Sequence, residues 1–471
     1  MPLHGWMPSP ATPCPAAVIV TPPPAPPHLA ADPLRRPRRV AVVGSGISGL
    51  AVAHGLAGLA RVTLFEAGGY FGGHTHTVDL HLDGVTHGVD TGFLVLNERT
   101  YPNLLRLFAE LKVDIAKSDM SFSVQVPDRS LEWSGCDLNT VFAQRANLLR
   151  PKFWGMLADI LRFNRLATAL AGTRDLAQLD QPIGDFLAQQ RFSVQFRDWY
   201  FLPMIGCIWS CPTDQMLRFP VATMIRFCHN HGLLQVANRP QWYTVRGGAR
   251  RYVDEMLKRV PDARLNSRVR GVRRMPEGSG SAGVWVSTDA GTERFDDVVL
   301  ASHSDQSLAL LADPSPQERT TLGAISYHRN RAVLHTDTSV LPRRKLAWAA
   351  WNYERAAGDR ERSSVCLHYL INRLQPLPFS TPVLVSLNPL TEPRPGTIHA
   401  EFDYAHPVFD AAAIAAQQRV PALQGERHTW FCGAWTRHGF HEDGLMSGLA
   451  VCEALKSRWA MEQNVPATEA A

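Results

Sequence analysis

A glycine-rich turn between an apolar strand and a helix constrains this sequence more than any other feature. Residues 40–43, after Arg39, form an apolar run that leads into Gly-Ser-Gly-Ile-Ser-Gly at 44–49, and a second apolar run at 62–65 ends at Glu66. This is the Gly-x-Gly-x-x-Gly pattern of a βαβ unit that binds a dinucleotide. The first glycine permits the tight turn, the second lets the backbone approach a pyrophosphate, and the third lets the helix pack on the strand. The helix N-terminus attracts phosphate, and Glu66 stands where a carboxylate can accept ribose hydroxyls.

Four further segments extend this site. Residues 68–77 contain two glycine pairs directly after Glu66, and their alternative interpretation is a flexible surface loop. Residues 88–93 form a short turn in which Asp90 is interpreted as a turn former. Residues 246–249 carry a glycine pair ahead of a helix-periodic stretch. Residues 430–445 lead from an apolar strand through Gly-Ala to a helix predicted over 446–455.

In this order the five segments resemble the FAD-binding pieces of the flavin amine oxidase superfamily. The resemblance implies a noncovalently bound FAD in a Rossmann-type α/β domain, with a substrate domain of mixed sheet and helices interleaved. It also implies that the backbone at Val269 meets the adenine, and that the helix start at Gly444 and Leu445 points N–H donors at the flavin. The sequence departs from the family at two positions. His74 stands where the family has an arginine, and Ala434 stands where it has an aspartate.

The domain boundaries are predicted from these segments. Residues 1–36, rich in proline and alanine, are expected to be disordered, and 461–471 to form a flexible tail. The FAD-binding domain is predicted to take 37–93, 241–315 and 421–460, and the substrate domain 94–240 and 316–420. The residues expected to bind FAD are Gly44, Gly46, Ser48, Gly49, Glu66, Gly72, Gly73, Gly248, Val269, Gly433, Gly444 and Leu445.

Composition excludes several other classes. The net charge of +5 is mild for 471 residues, so no nucleic-acid partner is predicted. No apolar run reaches a membrane-spanning length, and we expect a cytoplasmic protein. The basic cluster at 35–39 is interpreted as solvated, and a peripheral contact with the inner membrane is left open. The 8 cysteines form no Cys-x-x-Cys pair and are expected to be buried thiols; no metal site is predicted.

The other half of the chain reads as helices followed by strands. Helical periodicity over 101–111 predicts a helix capped by Thr100, and further helices are predicted over 153–171 and 183–190. The apolar run 199–209 is either a core element or the wall of an apolar substrate tunnel. Alternating patterns then predict four strands, at 332–335, 345–353, 365–369 and 383–386.

We expect an FAD-dependent oxidoreductase that moves a hydride from a substrate C–H or C–N bond to flavin N5. Oxygen or an unidentified carrier then takes the electrons. No catalytic residue is assigned, but Trp351, Tyr353, His441 and Glu442 are candidates to face the flavin; Glu442 is alternatively part of a capped helix start. A small apolar substrate, of acyl or isoprenoid type, is favoured over an amine because no acid–base pair stands out and the lysine of the family's amine oxidases has no counterpart.

Three alternatives remain open. The protein could be an amine oxidase, or a flavin-dependent isomerase or mutase without net redox. It could also keep FAD for structure alone.

Overall fold

The computed structural model describes residues 36–172, 179, 181–235, 239–275, 283–356, 358 and 365–463. The predicted disordered segment therefore lies outside the described residues except for Arg36, and so do residues 464–471 of the predicted tail.

The strands occur in three groups along the chain, separated by helical segments. They are β1 (Arg39–Val43), β2 (Arg61–Phe65), β3 (Thr77–Leu82), β4 (Val85–Asp90), β5 (Leu96–Asn97), β6 (Ile115–Ser118), β7 (Phe122–Val126), β8 (Leu131–Ser134), β9 (Trp242–Val245), β10 (Asp262–Arg264), β11 (Val269–Arg274), β12 (Val284–Thr288), β13 (Gly291–Phe295), β14 (Asp297–Leu300), β15 (Tyr327–His335), β16 (Trp351–Glu354), β17 (Cys366–Leu370), β18 (Leu384–Leu387), β19 (Ile398–Pro407) and β20 (Thr429–Phe431).

The α-helices lie mainly between the first and second groups of strands and at the end of the chain. They are α1 (Ile47–Leu56), α2 (Pro102–Leu111), α3 (Leu138–Val141), α4 (Pro151–Ala171), α5 (Ile183–Gln189), α6 (Val194–Phe196), α7 (Leu202–Trp209), α8 (Thr213–Met216), α9 (Val221–Asn230), α10 (Arg250–Leu257), α11 (Ser304–Leu310), α12 (Pro316–Leu322), α13 (Ile371–Leu374), α14 (Ala411–Gln417) and α15 (His441–Gln463).

The first sheet is parallel throughout and has the strand order β10-β2-β1-β14-β20. Its central strands are apolar on both faces: every residue of β1 after Arg39 is buried, and so is every residue of β14. This is expected of a sheet covered on both sides. The carboxyl ends of β1 and β2 lie side by side, which places the turn at Gly44 next to Glu66. The predicted Rossmann-type architecture is confirmed.

A second, seven-stranded sheet has the order β19-β15-β18-β17-β16-β7-β8. Its neighbouring strands are antiparallel except for β16 and β7, which run parallel. Strands β7 and β8 of the first insertion, which was predicted to be helical, therefore join strands of the second insertion in one mixed sheet. The predicted strand 345–353 is shorter than expected, because residues 345–347 form a 3₁₀ turn and β16 begins at Trp351.

A smaller sheet joins segments that the sequence had assigned to different domains. Strand β9, at the start of the second predicted FAD-binding segment, pairs with β5 and β6 of the first insertion. A continuous core of buried residues also runs from Val42 in the parallel sheet to Val385 in the mixed sheet. The parallel sheet and the mixed sheet thus share one hydrophobic core.

The apolar run 199–209 is helical. A π-helical turn at Arg197–Phe201 continues directly into α7. Phe201, Ile205 and Trp209 are buried in a core cluster with the neighbouring helices. The core interpretation is confirmed for these three side chains, whereas Cys207 and Ile208 line the large cavity described below and the tunnel interpretation stays a prediction.

The last helix is longer than predicted at both ends. Helix α15 begins at His441, five residues before the predicted start, and residues 461–463 of the predicted tail belong to it. Within the residues that the structure describes, no helix combines the length and apolarity needed to cross a bilayer.

Candidate active site

One cavity of about 680 Å³ extends from the carboxyl edge of the parallel sheet to the mixed sheet. Volumes of this size are typical of cofactor and ligand sites. The glycine-rich turn, Glu66 and the second glycine pair line one end, and side chains from α7, α9, β16 and β17 line the other. We call these the dinucleotide end and the substrate end.

The turn after β1 has the geometry that the glycine pattern predicts. Gly44 has φ = +102°, and a Cβ there would lie 2.9 Å from the carbonyl oxygen of Ala301. A Cβ on Gly46 would meet no atom within 4 Å, because this position faces the cavity. No side chain caps the N-terminus of α1, so its backbone N–H groups are available to an anion.

Glu66 lies at the end of β2 and lines the cavity. Its carboxylate accepts hydrogen bonds from Ser45 N at 3.0 Å, Ser45 Oγ at 2.6 Å and Gly68 N at 2.8 Å. These contacts fix the carboxylate between the two glycine-rich turns, beside the position where a ribose would follow the pyrophosphate.

The second glycine pair packs directly on the first turn, so it is not a free surface loop. The N–H of Gly72 donates to Ser45 O at 3.1 Å, and a Cβ on Gly73 would lie 3.2 Å from Gly46 Cα. His74 follows and lines the cavity, and its Nε2 is buried with no hydrogen-bond partner among the described residues. Trp351 Nε1, at the other end, is in the same situation. Buried polar atoms of this kind are normally satisfied, and a bound ligand would do so.

The two remaining cofactor segments reach the cavity by backbone and small side chains. Val269, the first residue of β11, lines it, and so do Gly433 and Ala434 after β20. Trp435 Nε1 donates to Ser302 O at 3.1 Å, which ties this loop to the end of β14. Together with the cradle at Gly46, the open helix N-terminus and Glu66, these residues fit an FAD.

Four of the predicted cofactor residues do not line the cavity. Gly49 and Gly444 are packing positions: a Cβ on Gly49 would collide with Gly44 O, and one on Gly444 would lie 2.8 Å from Ile47 Cγ2. Leu445 is buried in the core. The prediction that the N–H of Gly444 is free to contact the flavin is also wrong. This N–H donates to Phe440 O at 3.0 Å, because α15 starts earlier than predicted.

Gly248, the fourth, belongs to a buried hydrogen-bond network around Asp90. It adopts φ = +101° beside Thr77, and the following N–H of Ala249 donates to Asp90 at 2.9 Å. Thr77 Oγ1 and Gln375 Nε2 also donate to this carboxylate. Burial raises the pKa of Asp90 to about 7, and the hydrogen bonds oppose that shift. The residue thus joins the β3–β4 hairpin to the start of α10.

Glu442 and Tyr353, two of the flavin-facing candidates, are also absent from the cavity lining. Glu442 accepts hydrogen bonds from Asn103 N and Leu104 N at 2.9 and 3.0 Å, so it caps the N-terminus of α2. Thr100, the predicted cap, accepts none of these bonds. Tyr353 is fully buried on β16.

The other two candidates, Trp351 and His441, do line the cavity. Trp351 faces Tyr369 across the β16–β17 pair, with ring centroids 4.8 Å apart and nearly perpendicular planes. His441 stacks on Phe93 at 3.9 Å, and its Nε2 is 2.6 Å from Tyr252 Oη. Each ring is held in one orientation by a neighbour from another element.

Several cavity-lining residues carried no sequence signal. Phe227 stacks on Phe440 at 4.7 Å and on His231 at 3.8 Å, so α9 and the loop before α15 close one wall. His303 and His406 lie near His74, with ring centroids 6.4 and 5.3 Å away. These residues are far apart in sequence, and no local pattern connects them.

The cavity carries little charge. Of the described residues that line it, only Glu66 and Arg268 are charged at neutral pH, and both belong to the dinucleotide end, where Ser267 N donates to Glu66 O. Burial lowers the pKa values of the five lining histidines, to about 4 for His74, His231 and His303 and to about 3 for His406 and His441. Their rings are therefore neutral at pH 7.

Away from the cavity, Glu354, Cys366 and His368 bring a carboxylate, a thiol and an imidazole within 4.8 Å of one another. Hydrogen bonds account for the cluster. A backbone N–H donates to His335 Nδ1, and burial keeps this ring neutral, so the ring proton is on Nε2, 2.7 Å from Ser386 Oγ. Ser386 can then donate to His368 Nδ1 at 2.7 Å, and His368 Nε2 to Glu354 at 3.2 Å. We interpret the cluster as a hydrogen-bonded chain across the sheet.

The sequence model of flavin-containing amine oxidoreductases matches residues 47–372, more than half of the chain. The chain belongs to the flavin-containing amine oxidoreductase family. It is therefore a flavin oxidoreductase, and the family implies FAD as the flavin. No curated protein sequence matches the chain.

Solved structures with the same fold include enzymes of different named activities. A CLA-producing fatty acid isomerase from P. acnes has a TM-score of 0.61 at 14% identity, covering 90% of this flavin oxidoreductase and 98% of that chain. Cyclohexylamine oxidase from Brevibacterium oxydans has a TM-score of 0.64 at 14% identity, covering 90% and 100%. Putrescine oxidase bound to putrescine has a TM-score of 0.61 at 16% identity, covering 89% and 99%. At these identities the likeness shows the fold alone.

Proposed function

We propose that this flavin oxidoreductase takes a hydride from a C–H bond of a small, neutral and apolar molecule, of acyl or isoprenoid type, with FAD held noncovalently. The flavin, when bound, supplies the hydride acceptor, and oxygen or a carrier takes the electrons afterwards. The protein's own residues bind the two partners, orient them and keep water away.

The composition of the substrate end carries the proposal. Most of its lining side chains are apolar or aromatic, including Met120, Ile208, Phe227, Leu233 and Trp351, and the polar ones, such as Ser210 and His231, are uncharged. No carboxylate is available there to hold an ammonium group, and no cation to hold an acid, among the residues that the structure describes. A charged substrate would lose its hydration without a partner, which is costly, whereas an apolar one gains from leaving water.

The dinucleotide end provides the contacts for the cofactor. Gly46 and the start of α1 would take the pyrophosphate, Glu66 the adenosine ribose, and Val269 the adenine. We assign His74 Nε2 to the flavin-bearing ligand and Trp351 Nε1 to the substrate, because both residues line the cavity and these two atoms have no hydrogen-bond partner among the described residues.

Among the flavin-facing candidates, Trp351 and His441 are retained, and Tyr353 and Glu442 are not. His441 is neutral, so it can position a ligand by a hydrogen bond but is a poor source of protons at pH 7. Noncovalent binding is favoured by the state of Cys207, the cysteine among the described residues that lines the cavity. Burial raises the pKa of its thiol well above the ordinary value, which makes it a weak nucleophile.

The experiment that tests the function is anaerobic reduction of the bound flavin. Neutral acyl esters and isoprenoids are mixed in turn with the purified holoprotein, and the loss of flavin absorbance is followed by stopped flow. Primary amines, including cyclohexylamine and putrescine, form the comparison set. We expect bleaching by at least one of the apolar compounds and none by the amines; rapid bleaching by an amine would reject the proposal.

The same experiment separates the alternatives. An isomerase or mutase would give a new product with pre-reduced flavin and consume no electron acceptor. A protein that keeps FAD for structure would show no reduction with any compound.

Acid denaturation followed by centrifugation tests whether FAD is covalently attached: a noncovalent FAD stays in the supernatant.

A water-insoluble substrate also favours work at a lipid surface, and we propose a cytoplasmic protein in peripheral contact with the inner membrane. The basic cluster before β1 gives little support to a contact there. Arg39 pairs with Glu293 at 2.9 Å, and Arg38 pairs with Glu462.

A further inference from the structure

An apolar surface lies on the substrate half, in residues 138–161. Five large apolar side chains are exposed there, with exposed fractions of 79% for Leu138, 46% for Leu148, 88% for Leu149, 49% for Trp154 and 52% for Leu161. Single exposed leucines are common on soluble proteins, whereas five exposed large apolar side chains in one short stretch make it a candidate binding surface. We call it the 138–161 surface.

The members of the surface are held together by local contacts. Trp154 Nε1 donates to Leu148 O at 3.0 Å, and the Trp154 ring lies 5.2 Å from that of the buried Phe142. Arg145 reaches back to the carbonyl oxygen of Phe142 at 2.9 Å, which closes the segment between α3 and α4. Leu161 stands two helical turns after Trp154 on the same side of α4. The apolar side chains thus project from a rigid base.

Three exposed cationic side chains belong to the same stretch of chain or directly follow it. Arg145, Lys152 and Arg165 are exposed, and none of them forms an ion pair within the described part of the chain. Asp159, an acidic residue of the same helix, is paired with Arg162 at 2.9 Å. Exposed leucines and a tryptophan among cations are the composition of a segment that lies in a lipid headgroup region.

The surface also lies beside a route to the active site. A second, shallow cavity on α4 is lined by Leu161, Arg165 and Leu234 among others. The preceding residue, Leu233, lines the substrate end of the main cavity. Two consecutive leucines therefore line the two cavities, one each.

We propose that the 138–161 surface docks on an anionic lipid bilayer, and that the apolar substrate enters from the lipid between α4 and Leu233–Leu234. The proposal rests on the function proposed above, since an apolar substrate is what such a route would deliver. The partner is the bilayer surface itself, because cations flank an apolar face that no part of the described chain covers.

Vesicle flotation tests the docking. The holoprotein is mixed with vesicles of phosphatidylcholine, or of phosphatidylcholine with about 30% phosphatidylglycerol, and the fraction that floats is measured. We expect binding to the anionic vesicles, weaker by about tenfold at roughly 0.5 M salt because the cations are screened. Leu149→Asp is expected to lower the partition coefficient by about tenfold or more, because it places a carboxylate against lipid.

The matched control is Leu59→Asp, at an exposed leucine (44%) between α1 and β2, outside the 138–161 surface. It should float like the unmodified protein. Neither leucine lines the active site, so both variants should hold FAD and be reduced normally by a substrate presented in detergent micelles. If the protein does not bind vesicles but its flavin is reduced normally in micelles, the docking proposal alone is wrong. If no apolar compound reduces the flavin, the proposed function is wrong.

Two other outcomes would overturn the docking proposal. Binding that Leu59→Asp and Leu149→Asp weaken equally would mean that the 138–161 surface has no special part in it. A dimer in light scattering that Leu149→Asp converts to a monomer, without vesicle binding by either protein, would show that a second copy of the chain covers the surface.

Discussion

The two ends of the cavity are built in different ways. The dinucleotide end consists of glycine turns, a helix N-terminus and one carboxylate, most of them within residues 44–73. The substrate end consists of side chains from α7, α9, β16, β17 and the loop before α15, which are brought together from distant parts of the chain. Backbone contacts recognise what every FAD shares, whereas side chains recognise what differs between substrates. Changes at the two ends should therefore have separable effects.

Among the variants proposed here, Gly46→Val is expected to have the largest effect, and that effect is on FAD binding. A Cβ at this position meets no protein atom within 4 Å, so the fold should tolerate a side chain there, but that side chain occupies the space for the pyrophosphate. We expect the affinity for FAD to fall by at least about 100-fold, roughly 3 kcal/mol, in a fluorescence titration of the apoprotein. The control is Gly155→Val, where a Cβ also meets nothing within 4 Å but the residue is exposed on α4. Equal affinities in the two variants would contradict the assignment of the cavity.

Trp351→Ala tests the opposite end. It removes the ring that faces Tyr369 in the cavity, and we expect kcat/KM for the compound that bleaches the flavin to fall about 30-fold, roughly 2 kcal/mol. The affinity for FAD should stay within about twofold. Trp285→Ala, on β12 and outside the cavity lining, is the control and should change neither quantity. A loss of FAD affinity with unchanged kcat/KM would show that Trp351 belongs to the dinucleotide end and not to the substrate end.

Because the cavity histidines are neutral in the folded protein, we expect the protein to lose stability in acid. His406 has a folded pKa of about 3 because it is buried, below the ordinary 6.5, so the unfolded chain takes up its proton first as pH falls below about 6.5. Between pH 7 and pH 5 the free energy of unfolding should drop by about 2 kcal/mol for a histidine of this kind. Urea unfolding at the two pH values measures the drop.

His406→Gln should reduce this pH dependence, and the exposed His81→Gln should leave it unchanged. An unaltered dependence in His406→Gln would mean that this ring is hydrated in the folded protein. The unfolding experiment is done on the apoprotein, so that FAD binding does not contribute.

The smallest effect is expected from Glu442→Ala, which tests a residue that the sequence had placed at the flavin. Loss of the cap on α2 should lower the free energy of unfolding by about 1–2 kcal/mol. The rate of flavin reduction at full FAD occupancy should stay the same. Glu110→Ala, at the exposed end of α2, should be close to neutral for both. If Glu442→Ala lowers the rate of flavin reduction about tenfold, Glu442 takes part in the reaction and is more than a helix cap.

The sequence by itself determined the parallel sheet and most of the dinucleotide end. Gly44, Gly46 and Glu66 could be identified because each is demanded by a local turn or by the end of a strand next to a turn, whereas Gly72 and Gly73 followed from the resemblance to the family. Five ordered segments were enough to indicate the family. The helices over α4 and α5 and the strands β17 and β18 were also found close to their true bounds, since periodicity is a property of a short stretch.

Only the tertiary structure decided the remaining assignments. Glu442 caps α2 by a hydrogen bond from Asn103, 339 positions earlier in the chain, and Gly248 belongs to a hydrogen-bond network centred on Asp90. His303, His406 and Phe227 reach the cavity from three separate elements. A residue's local neighbours reveal its preferred backbone conformation, but its role in a buried site depends on which distant side chains folding brings against it.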